Sequence, residues 1–486
     1  MSLVRRNMLW MAASQTSVFV TQFASTVLIA RLLSPYEMGV FAAALAVVGL
    51  LVLVRSGSLG SYVIRAGALT PALLETTFTI NVLLAFLIAA IVVALSVLGG
   101  VLLDDPGVRQ VLLPIALVPV LSIFEFRPAT VMERQGQFGA LAVVNLVRAI
   151  VGSALSVGLA YQGHSYMSLA YGQLASGLVA AVGFNLLGWR HASLRMGLAD
   201  WRSVLRYSGH MLAISGTSAA AVRVAELALA RLMGLAALGV YSRATGIANI
   251  VWENIHMVVS RALFVDLAEQ QRQGKSLRHS YLRVVTLTTA ILWPAFVGLA
   301  VVSGPLLMLL YGPKWVEAQL PLSLLALSSV PAAAMLAAGG VLVVTERTAE
   351  QMRLETIRAL FGLGLFLAGC TVGLAWAAAA RIVESLLAYA LYRRPVQQMS
   401  QTRERDFLPI YLRSAMLTLA AVGPCFAVMA WHGWSPEAPL GPVGLAVLAG
   451  VVLWAIALYL MEHLLVHEAR WLLAQLGLRT TSPPAR

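Results

Sequence analysis

The chain has 486 residues, 59% hydrophobic and only 11% charged, with a formal net charge of +13 at pH 7. Soluble domains are about 45–50% apolar and about 25% charged, so a mean hydropathy of +0.83 excludes a soluble enzyme, a disordered scaffold and a secreted disulfide module. Spans of about 20 apolar residues then set the architecture. The chain reads as an all-α polytopic membrane protein.

The basic charge does not point to nucleic acid, because no long basic run or aromatic-interleaved basic face exists. In a membrane protein it reads as topological, since Lys and Arg retain loops on the cytoplasmic side. Cys370 and Cys425 both lie within apolar segments and read as small hydrophobes.

Met8–Ala30 is too long for a signal-peptide core and carries Gln15 and Gln22, so it reads as a retained first span. In chain order, fourteen candidate transmembrane helices lie near 8–30, 37–54, 75–98, 110–130, 138–160, 166–188, 206–232, 238–263, 280–303, 317–344, 354–372, 374–392, 409–431 and 441–463. Only Gly373 and its neighbours separate the eleventh from the twelfth. With the N-terminus in the cytoplasm, only Arg31, Arg109, Arg231 and Lys314 face outward. Arg148, Arg223, Arg243, Arg358 and Arg381 fall within spans, and the other 25 of the 34 basic residues are cytoplasmic. That asymmetry predicts cytoplasmic termini. The loops 190–205, 266–279 and 397–406 are basic anchors. Asp104-Asp105 reads as a turn, and 467–478 as a short interfacial helix ahead of a frayed tail.

The sequence also matches itself at an offset of 200. Residues 30–41 read ARLLSPYEMGVF and residues 230–241 read ARLMGLAALGVY, with Arg31/Arg231 and Gly39/Gly239 identical. An even number of spans separates the copies, which predicts two parallel six-helix lobes, an arrangement common in transporters. The predicted divisions are a first lobe over 1–189, a cytoplasmic linker over 190–205 and a second lobe over 206–396. Two further helices occupy 397–465, and a cytoplasmic tail 466–486.

Four stretches carry a resemblance: ARLLSPYEMGVFAAAL after span 1, ERQGQFGAL before span 5, RLMGLAALGVYSRATG at spans 7–8, and LLYGPKWVEA before span 10. Their order and spacing resemble the Wzx-type polysaccharide flippases of the multidrug/oligosaccharidyl-lipid/polysaccharide exporter superfamily. The resemblance implies two six-helix lobes around a central cavity. It also implies translocation of an undecaprenyl-pyrophosphate-linked glycan across the bacterial inner membrane, with lipid and polysaccharide assembly proteins as partners. Related families of this fold move lipid II or extrude drugs and cations. A glycan polymerase or ligase would need an outer catalytic loop that this chain lacks, no Walker-type phosphate loop is present, and no cofactor or metal is expected.

Charges inside the bilayer need partners or a wet cavity. Arg223/Glu226, Glu355/Arg358 and Arg381/Glu384 are each three apart and share a helix face. They read as self-neutralised pairs on spans 11 and 12. On span 7 the resemblance points instead to the cavity. On span 8, Ser242, Asn249, Glu253, His256 and Ser260 share one stripe with Arg243 beside it. Arg223 and Arg243 are candidates to grip the pyrophosphate, since a guanidinium binds such anions bidentately, or else to form interhelical salt bridges. Gln22, Asn249, Arg31 and Arg231 complete the candidate substrate-binding set, although Arg31 and Arg231 read first as anchors of tight turns at the outer ends of spans 1 and 7. Glu253 and His256 are candidates for coupling, on the expectation that their stripe is buried and desolvation sets the Glu apart.

Overall fold

Local sequence sets the helix ends. Glu37 donates its N–H to Ser34 Oγ at 3.3 Å while its carboxylate accepts the Ser34 N–H at 2.6 Å, and Pro35 supplies the first helical residue. This reciprocal cap starts the second helix. Asp105 likewise accepts the N–H groups of Gly107 and Val108 at 2.8 and 3.1 Å, just ahead of Pro106 in sequence order. Asp105 is therefore a cap, in keeping with a turn; Asp104 lies outside the described residues.

The computed structural model describes residues 3–53, 55, 58–98 and 105–475, with the side chains of 3–13, 210–211, 213–215, 255–266, 268, 469 and 471–475 outside that description. Every regular element among the described residues is helical. Residues Met1–Ser242 form one compact unit. It holds α1 (Leu3–Leu32), α2 (Pro35–Val52), α3 (Ser58–Arg65), α4 (Pro71–Leu98), α5 (Pro106–Ile115), α6 (Leu117–Arg134), α7 (Phe138–Tyr161), α8 (Met167–Leu187), α9 (Trp201–Met233) and the start of α10 (Leu235–Arg272). Within it α7 packs against α1 and α8, and α2 against α5 and α9. Small residues bring α7 and α8 together: a Cβ on Gly152 would sit 3.0 Å from Ser176 Cβ, as membrane helices that lack a hydrophobic drive between them require. The predicted span 110–130 is two helices, because Pro119 has no N–H to offer the Ile115 carbonyl and the chain breaks at Ala116.

The second unit, Arg243–Arg486, holds the rest of α10, then α11 (Arg278–Val301), α12 (Ser303–Leu310), α13 (Gln319–Ala334), α14 (Ala338–Val344), α15 (Thr348–Val372), α16 (Leu374–Ser400), α17 (Glu404–Trp431), α18 (Leu440–Leu460) and α19 (Leu464–Gln475). Tyr281, Val285, Val341, Val396 and Phe407 form part of an apolar cluster within it. The predicted span 317–344 resolves into a 3-10 turn, Pro313–Ala318, followed by α13 and α14. α15 and α16 turn at Gly373, where a Cβ on Gly369 would lie 2.7 Å from the Ala377 backbone nitrogen. α19 starts three residues ahead of the predicted interfacial segment 467–478 and is capped by His463, whose Nδ1 accepts the Leu465 N–H at 3.2 Å. Cys370 and Cys425 are free and buried.

Eleven helical segments among the described residues are long and apolar enough to cross a membrane. Leu445, Leu448 and Val452 on α18 are exposed, an apolar face suited to lipid. Polar side chains serve the helix ends instead: Arg109 donates to Ser96 O at 3.0 Å, and Arg127 to Ser193 O at 3.2 Å. This is a polytopic all-α membrane protein.

Candidate functional site

The matched glycines of the repeat touch. A Cβ on Gly39 would overlap the Leu235 carbonyl oxygen, and a Cβ on Gly239 would overlap the Pro35 carbonyl oxygen. Position 39 meets 235 as position 239 meets 35, the reciprocity of a two-fold contact. α2 and the start of α10 therefore cross backbone to backbone, and only glycine fits at either position. The copies differ just before this crossing. Ser34 caps α2, whereas its counterpart Gly234 ends α9 at φ 90°, a conformation that favours glycine.

About three turns past Gly39, α2 presents Gly49, and a Cβ there would lie 2.9 Å from Arg223 Nε. The missing side chain makes room for the guanidinium. Arg223 then donates to Glu226 Oε2 at 2.8 Å while its side chain stays 40% exposed. The predicted pair on span 7 exists, and its cation keeps an open side.

The remaining predicted residues are not gathered around that pair. Gln22, Arg31 and Arg231 are exposed on α1 and α9. In the second unit Arg243 makes no ion pair with Glu253 among the described residues; its Nε is buried without a hydrogen-bond partner, within electrostatic range of Tyr311. Tyr311 belongs to the LLYGPKWVEA stretch and packs edge-on against Trp315 at 6.0 Å. The stripe expected to be buried is instead exposed at Asn249 and Glu253. The side chain of His256 lies outside the described residues.

Two clusters were missed because sequence spacing shows only neighbours along one helix. In the first unit, Arg148 on α7 stands 3.7 Å from Glu125 Oε2 on α6, and Arg55, which donates to Pro119 O at 3.3 Å, lies within electrostatic range of the same carboxylate. In the second unit the two predicted intrahelical pairs merge. Glu384, buried, accepts from Arg381 Nη1 at 2.6 Å and from Arg358 Nη1, and Arg358 donates to Glu355 through Nε at 3.1 Å and through Nη2. Tyr392 donates to Glu355 at 2.9 Å, and Arg381 lies over the Phe366 ring at 4.7 Å. A Cβ on Gly362 would overlap the Glu384 carboxyl group, so this glycine admits the crossing from α16 to α15.

A family profile described as "Polysaccharide biosynthesis protein" matches residues 28–320, from the first repeat copy through the start of α13. The chain belongs to this family. It is 23% identical over 310 residues to the lipopolysaccharide biosynthesis protein WzxC of Escherichia coli (strain K12), covering 63% of each chain. It is 25% identical over 325 residues to the succinoglycan biosynthesis transport protein ExoT of Rhizobium meliloti (strain 1021), covering 67% of this chain and 66% of that one. The match spans about two thirds of the length of these relatives. In fold the chain is similar to the lipid II flippase MurJ in an inward closed conformation, with a TM-score of 0.74 at 13% identity over 94% of this chain and all of that one. An inward-facing multidrug resistance MATE family transporter gives 0.58 at 14% identity, over 79% of this chain and 96% of that one. This family member is a multi-pass bacterial membrane protein with the fold of that exporter superfamily.

Proposed function

We propose that the chain flips an undecaprenyl-pyrophosphate-linked oligosaccharide or repeat unit across the cytoplasmic membrane by alternating access, for surface polysaccharide assembly. The observation that carries this reading is Arg223: a half-exposed guanidinium on α9, the seventh span expected from the sequence, seated on Gly49 and held by Glu226. A cation in hydrocarbon needs a partner or water, and one that keeps an open side beside its partner can take an anionic headgroup bidentately. The names of WzxC and ExoT support a glycan cargo, and the flippase-like fold supports a carrier over a polymerase.

The architecture behind this reading is fourteen crossings in two parallel six-helix lobes, 1–189 and 206–396, with 397–465 as two further helices and both termini cytoplasmic. The 200-residue repeat and its reciprocal glycine contact support the lobes. The clustering of basic residues supports the orientation. Cysteines placed in 190–205 or 266–279 are expected to label only from the cytoplasmic side.

The test of the headgroup role compares Arg223→Gln with Arg223→Gln/Glu226→Gln in a cell-surface polysaccharide assay, at matched membrane abundance. A headgroup ligand predicts that both fail. A purely internal salt bridge predicts that removing Glu226 restores export.

A further inference from the structure

The charged cluster of the first unit is unlike an ordinary structural ion pair. Charge-assisted hydrogen bonds between guanidinium and carboxylate close to about 2.7–2.9 Å, yet Arg148 Nη1 stops 3.7 Å from Glu125 Oε2. That carboxylate oxygen is buried and accepts no hydrogen bond, and Arg148 donates none among the described residues. The Arg148 side chain is 39% exposed. Asn145, one turn earlier on the same face of α7, is also exposed. Arg148 lies ten residues into α7, roughly 15 Å along the helix, or half the hydrocarbon thickness. Arg55, expected from the sequence in a cytoplasmic loop, instead reaches the Pro119 carbonyl. Among the described residues two guanidiniums, Arg55 and Arg148, thus lie within electrostatic range of the single carboxylate of Glu125. Such a site is costly unless it serves a ligand.

We infer that Arg148 is an anion-binding residue which Glu125 holds in reserve: the guanidinium leaves its loose contact with Glu125 to grip a lipid-linked diphosphate, and returns when the diphosphate departs. Arg55, fixed to the Pro119 carbonyl, stays with Glu125 and keeps the vacated carboxylate from being an unpaired buried charge. The inference rests on the proposed lipid-diphosphate cargo and adds to it a second grip, with an internal carboxylate competing for it. Competition has a distinctive consequence. Removing the carboxylate must strengthen ligand binding, whereas breaking a structural salt bridge must not.

The experiment measures binding of geranylgeranyl diphosphate to the purified full-length protein in detergent, with geranylgeraniol as the uncharged control. Arg148→Ala is expected to weaken diphosphate binding by about ten-fold or more and to leave the alcohol unaffected. Arg148→Lys recovers part of the loss. Glu125→Gln is expected to tighten diphosphate binding about three-fold or more. Unchanged binding in Arg148→Ala, or weakened binding in Glu125→Gln, overturns the inference. Arg223→Ala separates the two levels: diphosphate binding lost there but kept in Arg148→Ala defeats this inference alone. A wild-type protein that does not distinguish diphosphate from alcohol defeats the cargo reading with it.

Discussion

The two intramembrane charge clusters are built on opposite terms. In the second unit, Glu355, Arg358, Glu384 and Arg381 carry equal numbers of positive and negative charges, and each carboxylate is hydrogen-bonded. In the first unit, one carboxylate faces two guanidiniums, and its contact with Arg148 lacks hydrogen-bond geometry. Glu384 has a side chain only 8% exposed, against 39% for Arg148. A saturated, neutral, enclosed network ties α15 to α16. An unsaturated, cationic, open one has capacity left for a ligand. Ionisable residues in a membrane therefore cannot be sorted into structural and functional by their presence alone; their saturation decides.

The largest expected effect comes from breaking the saturated cluster. Glu384→Ala leaves Arg358 and Arg381 without their shared partner, and removing one member of a buried ion pair costs about 3–5 kcal/mol. The protein should lose most of its membrane abundance, or show a melting temperature in detergent lower by several degrees. Arg148→Ala should do the reverse, keeping normal abundance while export falls about ten-fold or more. If Arg148→Ala melts as low as Glu384→Ala, the distinction between the clusters fails.

Glu253→Gln sharpens the comparison at a third site. Glu253 is exposed on α10 rather than enclosed like Glu384. Export is expected to stay within about two-fold of wild type with an unchanged pH profile; a flattened profile would restore Glu253 to a coupling role.

The smallest effect concerns His463, which the sequence puts at the end of the last span but which lies beyond the observed span, Leu440–Leu460. Burial, and then the nearby charge of Arg413, lower its pKa below the ordinary 6.5, and its Nδ1 caps α19. The folded protein thus holds His463 neutral. Its contribution is fully present above about pH 6.5 and is lost as pH falls below that value toward the lowered folded pKa. The melting temperature should fall on acidification through this window. His463→Asn, which keeps a cap acceptor, should flatten that part of the profile.

Much of the fold was legible because hydrophobic runs and caps act locally. Ser34-Pro35 and Asp105-Pro106 mark helix starts in the sequence itself, and Gly373 marks the turn between α15 and α16. The split at Ala116 was less visible, since Pro119 acts four residues upstream of itself. For the site, i,i+3 spacing exposed Arg223/Glu226 because both lie on one helix. Glu125 and Arg148 are 23 residues apart on different helices, and no periodicity links them. The merger of Arg358 with Glu384 was hidden for the same reason. Gly49 and Gly362 were the other concealed signals: each is a gap shaped for a charged side chain that arrives from another helix.

The central claim is that this chain carries a lipid-linked glycan by its diphosphate, and reconstitution tests it most directly. Proteoliposomes loaded on one leaflet with an undecaprenyl-pyrophosphate oligosaccharide, and probed from the other with an impermeant glycan-modifying enzyme, report transfer between leaflets. The account predicts protein-dependent exposure of the glycan by the wild type and little by Arg223→Gln/Glu226→Gln. Equal exposure with empty liposomes, or full activity in that double variant, would contradict it.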